Sequence, residues 1–109
     1  MRWSRSVNVM GLFSFILIIM TSSLYAAGDR EKGKEIFSKK CVACHGKNGE
    51  GNKSQKAPKL AGQFDWYIVT QLNNFQKGVR NNPKMLPFIK TLTEKDFQNL
   101  GAYLNSLPH

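Results

Sequence analysis

Cys41-Val42-Ala43-Cys44-His45 is the stretch that decides how the rest of the chain is read. Its C-x-x-C-H spacing is that of a site where haem is attached through two thioether bonds. Two thiols three positions apart lie about one helical turn from each other, so both reach the vinyl-derived carbons along one edge of a single porphyrin. His45 then falls beneath the iron, where its imidazole serves as the proximal axial ligand. A redox pair of thioredoxin type would expect a βαβ surround, and no period-two apolar strand flanks these cysteines. A zinc site would need more ligands than the chain supplies.

The amino end carries Arg2 and Arg5, an apolar run from Val7 to Met20, and then small and polar residues leading to Ala26 and Ala27. This is the three-part layout of a secretory signal peptide. The run is shorter than the roughly 20 apolar residues of a spanning helix, so cleavage near Ala26 is expected and stable membrane insertion is not; an uncleaved anchor is the alternative. Both cysteines of the chain lie in the motif, so an oxidising compartment offers them one tight bridge at most. Haem capture is the better use. The expectation is an exported, periplasmic protein: a signal peptide over residues 1–26 and one domain over residues 27–109. A domain of that size gains only marginal stability from its own core, and a covalently held porphyrin would act as its staple.

The mature part reads as all-α, with long loops wrapped around one cofactor. Asp29 or Gly28 caps a first helix through Ile36 and Phe37, with Gly33 allowing another helix to approach closely. A second long helix is expected from about Asp65 to Lys77, with Ile68, Leu72 and Phe75 on one stripe and Gly78 just past its end. The last starts at Thr93, where Thr-Glu-Lys-Asp96 resembles a capping box; it buries Phe97, Leu100, Tyr103 and Leu104 before Pro108 stops it. The glycine-rich loop from Gly46 to Gly51 and the basic loop from Lys53 to Lys59 show no strand alternation.

A second axial ligand follows by elimination. Met1, Met10 and Met20 fall in the leader, so Met85 is the one thioether of the mature chain; the other histidine, His109, sits at the terminus, where fraying is the ordinary expectation. Pro83 and Pro87 flank Met85 and predict an extended segment. The plain alternative for Met85 is core filler. A metal-bound histidine usually donates its other ring nitrogen to an acceptor, and a backbone carbonyl around Pro58 suits that role for His45; otherwise Pro58 only stiffens a loop. Arg80 is a candidate partner for a haem propionate through a charge-assisted pair, with a plain surface arginine as the alternative.

These residues resemble class I cytochromes c, and within them the bacterial group of single-domain c-553 cytochromes and the halves of dihaem cytochrome c4. The matching pieces are Cys41 to Gly46, Pro58-Lys-Leu-Ala-Gly-Gln63, Tyr67 with Gln71-Leu72, Gly78-Val-Arg80, Met85, and Leu92 to Asp96 followed by Ala102-Tyr103. The resemblance implies one covalent haem c on Cys41 and Cys44, axial ligation by His45 and Met85, and a proline carbonyl for the histidine at Pro58. Two departures stand out. Gly101 replaces the usual alanine in the last helix, which weakens helix propensity by up to about 1 kcal/mol; and cytochrome c4 has two such domains where this chain has one.

With both axial positions filled the iron keeps no open site, and the expected role is one-electron transfer without catalysis. The cavity walls are expected from Phe64, Trp66, Tyr67, Leu72, Phe75, Phe88 and Ile89. Beyond the leader the chain keeps fourteen Lys and Arg against seven Asp and Glu. Lys39, Lys40, Lys47, Lys53, Lys56, Lys59 and Lys84 lie near the haem-binding residues in sequence, and a basic rim there would steer docking to acidic redox proteins or to membrane oxidase and reductase complexes. Nucleic acid is not an expected partner. Two other readings are a subunit bound to one specific dehydrogenase or reductase, and an open-site haem enzyme or sensor.

Overall fold

A computed structural model describes residues 28–109; the signal peptide and cleavage point expected over residues 1–26 lie outside the described residues. Five helices follow one another: α1 (Arg30–Lys40), α2 (Val42–His45), α3 (Asp65–Gln76), α4 (Leu86–Ile89) and α5 (Glu94–Ser106). The described residues contain no strand, only an isolated bridge between Asn52 and Ala57 in the basic loop. No helix among them is long and apolar enough to cross a membrane.

The first and last helices start where a side chain caps them. Asp29 is the N-cap of α1, its Oδ1 accepting from the backbone N–H of Glu31 at 2.9 Å and of Lys32 at 3.1 Å, which satisfies two donors that the first turn would otherwise leave orphaned. Thr93 and Asp96 form the reciprocal capping box expected for α5: Thr93 Oγ1 accepts from Asp96 N, and Asp96 Oδ2 accepts from Thr93 N. The helix ends as Leu107 turns extended ahead of Pro108, since the residue before a proline is driven out of the helical region. Past the end of α3, Gly78 takes a positive φ of 75°.

The first and last helices pack on each other, and α3 packs on α5. Phe37, Ile68, Leu72, Phe75, Ile89, Phe97, Leu100 and Leu104 form the buried core, which brings together the stripes read from α3 and α5. Tyr103 is half-buried, its ring tilted against Phe37 at 5.6 Å between centroids. Asn99 is the buried polar residue of this interface, and its Oδ1 accepts from the Asp29 backbone N–H at 2.8 Å. A buried amide oxygen costs free energy unless it is paired, so this bond both satisfies Asn99 and fixes where α1 begins.

Glycine sets how closely the helices approach. A Cβ at Gly33 would run into the Asn99 carbonyl oxygen and stand 2.8 Å from Tyr103 Cβ. Gly101 has the same use: a Cβ there would lie 2.9 Å from the Asp65 carbonyl oxygen. The departure noted in the sequence therefore lets the start of α3 rest on α5, and the lost helix propensity accompanies a closer contact. In the Met85 segment the structure differs from the extended conformation expected. Met85 has helical dihedrals, φ −81° and ψ −33°, and is the N-cap of α4, with Pro87 in that helix's first turn. A proline is accepted in a first helical turn because its missing N–H is one of the orphans there.

Gly33→Ala tests the helix contact. The substitution improves local helix propensity by up to about 1 kcal/mol, but the backbone of Asn99 cannot yield cheaply. The net expectation is a loss of about 1–3 kcal/mol from overpacking, read as a lower midpoint in urea, while Lys34→Ala on the exposed face of α1 leaves that midpoint nearly unchanged.

Candidate haem-binding site

The C-x-x-C-H motif lies at the junction of two helices. Cys41 ends α1, donating its backbone N–H to Phe37 O at 2.9 Å, and also stands as N-cap of α2, its carbonyl accepting from His45 N at 2.9 Å. That single turn places Cys41, Cys44 and His45 together on the wall of one cleft. The cysteines are not joined to each other. Burial pushes the Cys41 thiol up to about 11, with smaller opposing effects from Lys40, which lowers it, and Cys44, which raises it. A thioredoxin-type pair requires the reverse, an attacking cysteine pulled down toward neutrality.

The loop after the motif folds back on it. Gly51 N donates to His45 O at 2.7 Å, the Asn52–Ala57 bridge closes the basic turn, and the N–H groups of Leu60 and Ala61 both donate to Gly49 O. This fold-back brings the Pro58 carbonyl 2.9 Å from His45 Nδ1. A carbonyl can only accept, so Nδ1 carries the proton and Nε2 keeps its lone pair. The His45 ring is thereby held in one orientation, as metal-binding histidines commonly are by a hydrogen bond from the other ring nitrogen. His45 is buried, with 5% of its surface exposed.

The cleft consists of two adjoining cavities of about 310 and 320 Å³. Cys41, His45, Pro58, Met85 and Ile89 line both; Cys44 and Phe88 line the first; Tyr67, Ile68, Leu72, Phe75, Leu100 and Leu104 line the second. His45 and Met85, forty positions apart in sequence, are thus brought to one cleft, while His109 lines neither cavity and rests against Gly62. Two thiols, an imidazole with a lone pair on Nε2, and a thioether around an apolar cleft are a donor set that fits an iron porphyrin held covalently.

The expected walls divide. Leu72, Phe75 and Ile89 line the cleft as buried residues, and Tyr67 and Phe88 line it from its rim, 37% and 46% exposed. Phe64 and Trp66 line neither cavity and are each 62% exposed. Once Ile68, Leu72 and Phe75 face inward, Trp66 lies about 200° around the helix from Ile68 and must face out. Phe64 precedes the first turn. The lysines divide as well: Lys40, Lys56 and Lys84 line the first cavity and Lys56 and Lys59 the second, whereas Lys39 is drawn to Glu35 at 3.0 Å and Lys47 and Lys53 line neither. Arg80 lines the second cavity, its guanidinium donating to Gln71 Oε1 at 2.9 Å and lying 4.5 Å from the centre of the Phe75 ring.

Two amides escaped the sequence reading. Asn82 lines both cavities, and its Oδ1 accepts from the backbone N–H of Lys84 at 3.2 Å and of Met85 at 3.3 Å, forming the turn that presents the thioether. The Asn82-Pro83 pair is the signal that would have found it, since Asn-Pro favours turn initiation. Gln76 donates through Nε2 to the carbonyls of Leu92 at 2.8 Å and Ile89 at 3.1 Å, tying the end of α3 to the end of α4. No local pattern announces that bond.

Comparison with known proteins identifies the family. The family model described as Cytochrome c matches residues 30–108. The chain is 36% identical over 97 residues to cytochrome c-552 of Acidithiobacillus ferridurans, an alignment covering 82% of this chain and 41% of that protein. It is 39% identical over 67 residues to the thiosulfate dehydrogenase electron acceptor of Thiomonas intermedia, covering 62% of this chain and 31% of that one. The solved cytochrome c4 of Acidithiobacillus ferrooxidans superposes with a TM-score of 0.67 at 36% identity, covering 72% of this chain and 49% of that chain. The chain therefore spans less than half the length of each of these relatives. Covalently bound haem c and electron transfer are the attributes of the family, and with its motif, fold and match all in agreement, this chain belongs to the cytochrome c family.

Proposed function

We propose that the protein is a periplasmic carrier of single electrons, with one haem c held by thioether bonds from Cys41 and Cys44 and with His45 and Met85 as axial ligands. The observation that carries this reading is the convergence of His45 and Met85 on the cleft that the two cysteines also line. When bound, the haem supplies an iron that alternates between the ferric and ferrous states. The chain's own residues supply the rest. Pro58 O holds the His45 ring through Nδ1. Asn82 Oδ1 fixes the backbone turn from which Met85 reaches the cleft. Leu72, Phe75, Ile89, Leu100 and Leu104 exclude water, which favours the state of lower net charge and raises the potential. Arg80, braced by Gln71 and Phe75 at the second cavity, is positioned to neutralise a propionate. With two axial side chains in place, no position is left for a substrate, and the role is transfer of electrons between redox partners.

Docking belongs to the first cavity, which the exposed Lys40, Lys56 and Lys84 line together with both cysteines. A basic rim there attracts acidic redox partners and orients them toward the haem edge. The lysine side chains are solvated, so the attraction fades beyond about 8 Å at physiological ionic strength.

Three measurements test this reading. Extraction of the purified protein with acid acetone should leave the haem with the protein, and haem in the organic phase would refute thioether attachment. Met85→Ala should abolish the weak long-wavelength sulfur-to-iron band of the ferric protein, lower the potential by on the order of 0.1 V within the roughly 0.8 V span that axial ligands set, and admit cyanide or carbon monoxide; an unchanged spectrum would move the sixth ligand to another side chain. Reoxidation of the reduced protein by membranes from the same source should slow about tenfold or more between low and physiological salt, and rates indifferent to salt would refute docking through the lysine rim.

A further inference from the structure

Phe64, Trp66 and Tyr67 form a contiguous aromatic group at the start of α3. Phe64 and Trp66 lie nearly parallel at 6.0 Å between centroids, and Trp66 meets Tyr67 edge-on at 5.9 Å. The first two are 62% exposed and the third 37%. At about 150–250 Å² for a whole aromatic side chain, this leaves on the order of 350 Å² of aromatic surface in water. A patch of that size is comparable to the largest apolar patch of an ordinary monomer, which is often functional. None of the three is needed to close the core, since Ile68, Leu72 and Phe75 do that from the inward face of the same helix.

Charge decides what covers the patch. The stretch from Leu60 to Gln76 contains no Lys or Arg and one acidic residue, Asp65, in a chain that carries fourteen basic residues beyond its leader. The segment of α5 that meets it, where Asn105 Nδ2 donates to Gln63 O at 3.1 Å, is likewise without a charge from Phe97 to Pro108. An acidic redox partner would be drawn to the lysines around the first cavity, not to this neutral face. Two copies of a strongly basic chain repel each other wherever their lysines meet. They can approach closely where lysine is lacking, and that is where the aromatic surface lies.

We infer that this face, centred on Phe64 and Trp66 and bordered by Tyr67, Gln63 and Asn105, is where a second copy of the chain docks, forming a symmetric dimer about a two-fold axis. In such an interface each copy presents the same patch. Trp66 of one subunit packs on the aromatic group of the other, which suits an anchor type prominent among the energetic centres of interfaces. The exposed aromatic area alone is below the roughly 800 Å² per partner of a standard interface, so the dimer is a weak one that forms in the micromolar range. Tyr67 belongs both to the patch and to the lining of the second cavity. The interface therefore adjoins the rim of the second cavity at Tyr67 and Gln63; this functional consequence rests on the haem reading, whereas the association does not.

Sedimentation equilibrium of the protein purified from the exported fraction, over roughly 1 μM to 1 mM, tests the inference directly. The wild type should pass reversibly from monomer to dimer. Added salt should tighten the dimer by screening the repulsion between basic subunits, the reverse of its effect on docking through lysine. Trp66→Ser should weaken the dimer at least roughly tenfold with the visible spectrum unchanged, which shows that the cleft is intact; Phe64→Ser gives a second variant should the first fail to accumulate. A wild type that remains monomeric throughout, or a dimer indifferent to both substitutions, would overturn the inference. So would a monomer whose reoxidation by membranes depends on Trp66, which would assign the face to a different protein.

Discussion

The backbone contact between α1 and α5 is the constraint on which the rest depends. Gly33 lets the two helices meet at the Asn99 carbonyl, and the Asn99 side chain takes the N–H of Asp29 just before α1 begins. Once α1 is fixed at that end, its other end is fixed too, and the C-x-x-C-H turn continues directly from it through Cys41. Helix α5 then serves as the common floor: α3 rests on it through the small surface of Gly101 near Asp65, and Leu100 and Leu104 reach past that contact into the cleft. The site is therefore positioned by a helix contact on which none of its own donor atoms lies.

What stands around the cleft is held by backbone groups more than by pairs of side chains. Pro58 reaches His45 through a carbonyl, Asn82 orders the Met85 turn through two N–H groups, and Gln76 secures α4 through its terminal carbonyls. Such bonds suit a site meant to change charge without changing shape. Backbone partners carry no ionisable group, so they hold the same geometry whichever redox state the cleft contains.

Much of this was legible in the sequence because it rests on local rules. The motif spacing, the Asp29 cap, the Thr93–Asp96 box and the inward stripes of α3 and α5 all depend on residues within a turn or two of each other. The partnership of His45 with Pro58 was legible for a different reason: a metal-binding histidine needs an acceptor for its other ring nitrogen, and the resemblance to class I cytochromes c points to the proline carbonyl ahead of Leu60-Ala61-Gly62. The errors arose where a local rule admits two outcomes. Two prolines around Met85 suggested an extended segment, yet Pro87 is equally at home in a first helical turn, and the Asn82 side chain tips the balance. Phe64 and Trp66 were placed in the wall because apolar residues near a cofactor motif invite it. The phase of α3, set by Ile68, Leu72 and Phe75, puts Trp66 on the opposite side. Gly101 was read as a weakness in a helix because its use appears only when α3 lies across it.

The bond from Asp29 to Asn99 joins positions 70 apart, and both principal helix contacts are made with α5, the last helix of the chain. Local helices form early and at little cost in loop closure, but these contacts require almost the whole domain to be present. A nascent chain that has not yet released residues 94–106 has no surface on which α1 or α3 can pack. It stays extensible until that segment emerges, and its folding waits for a helix made almost last.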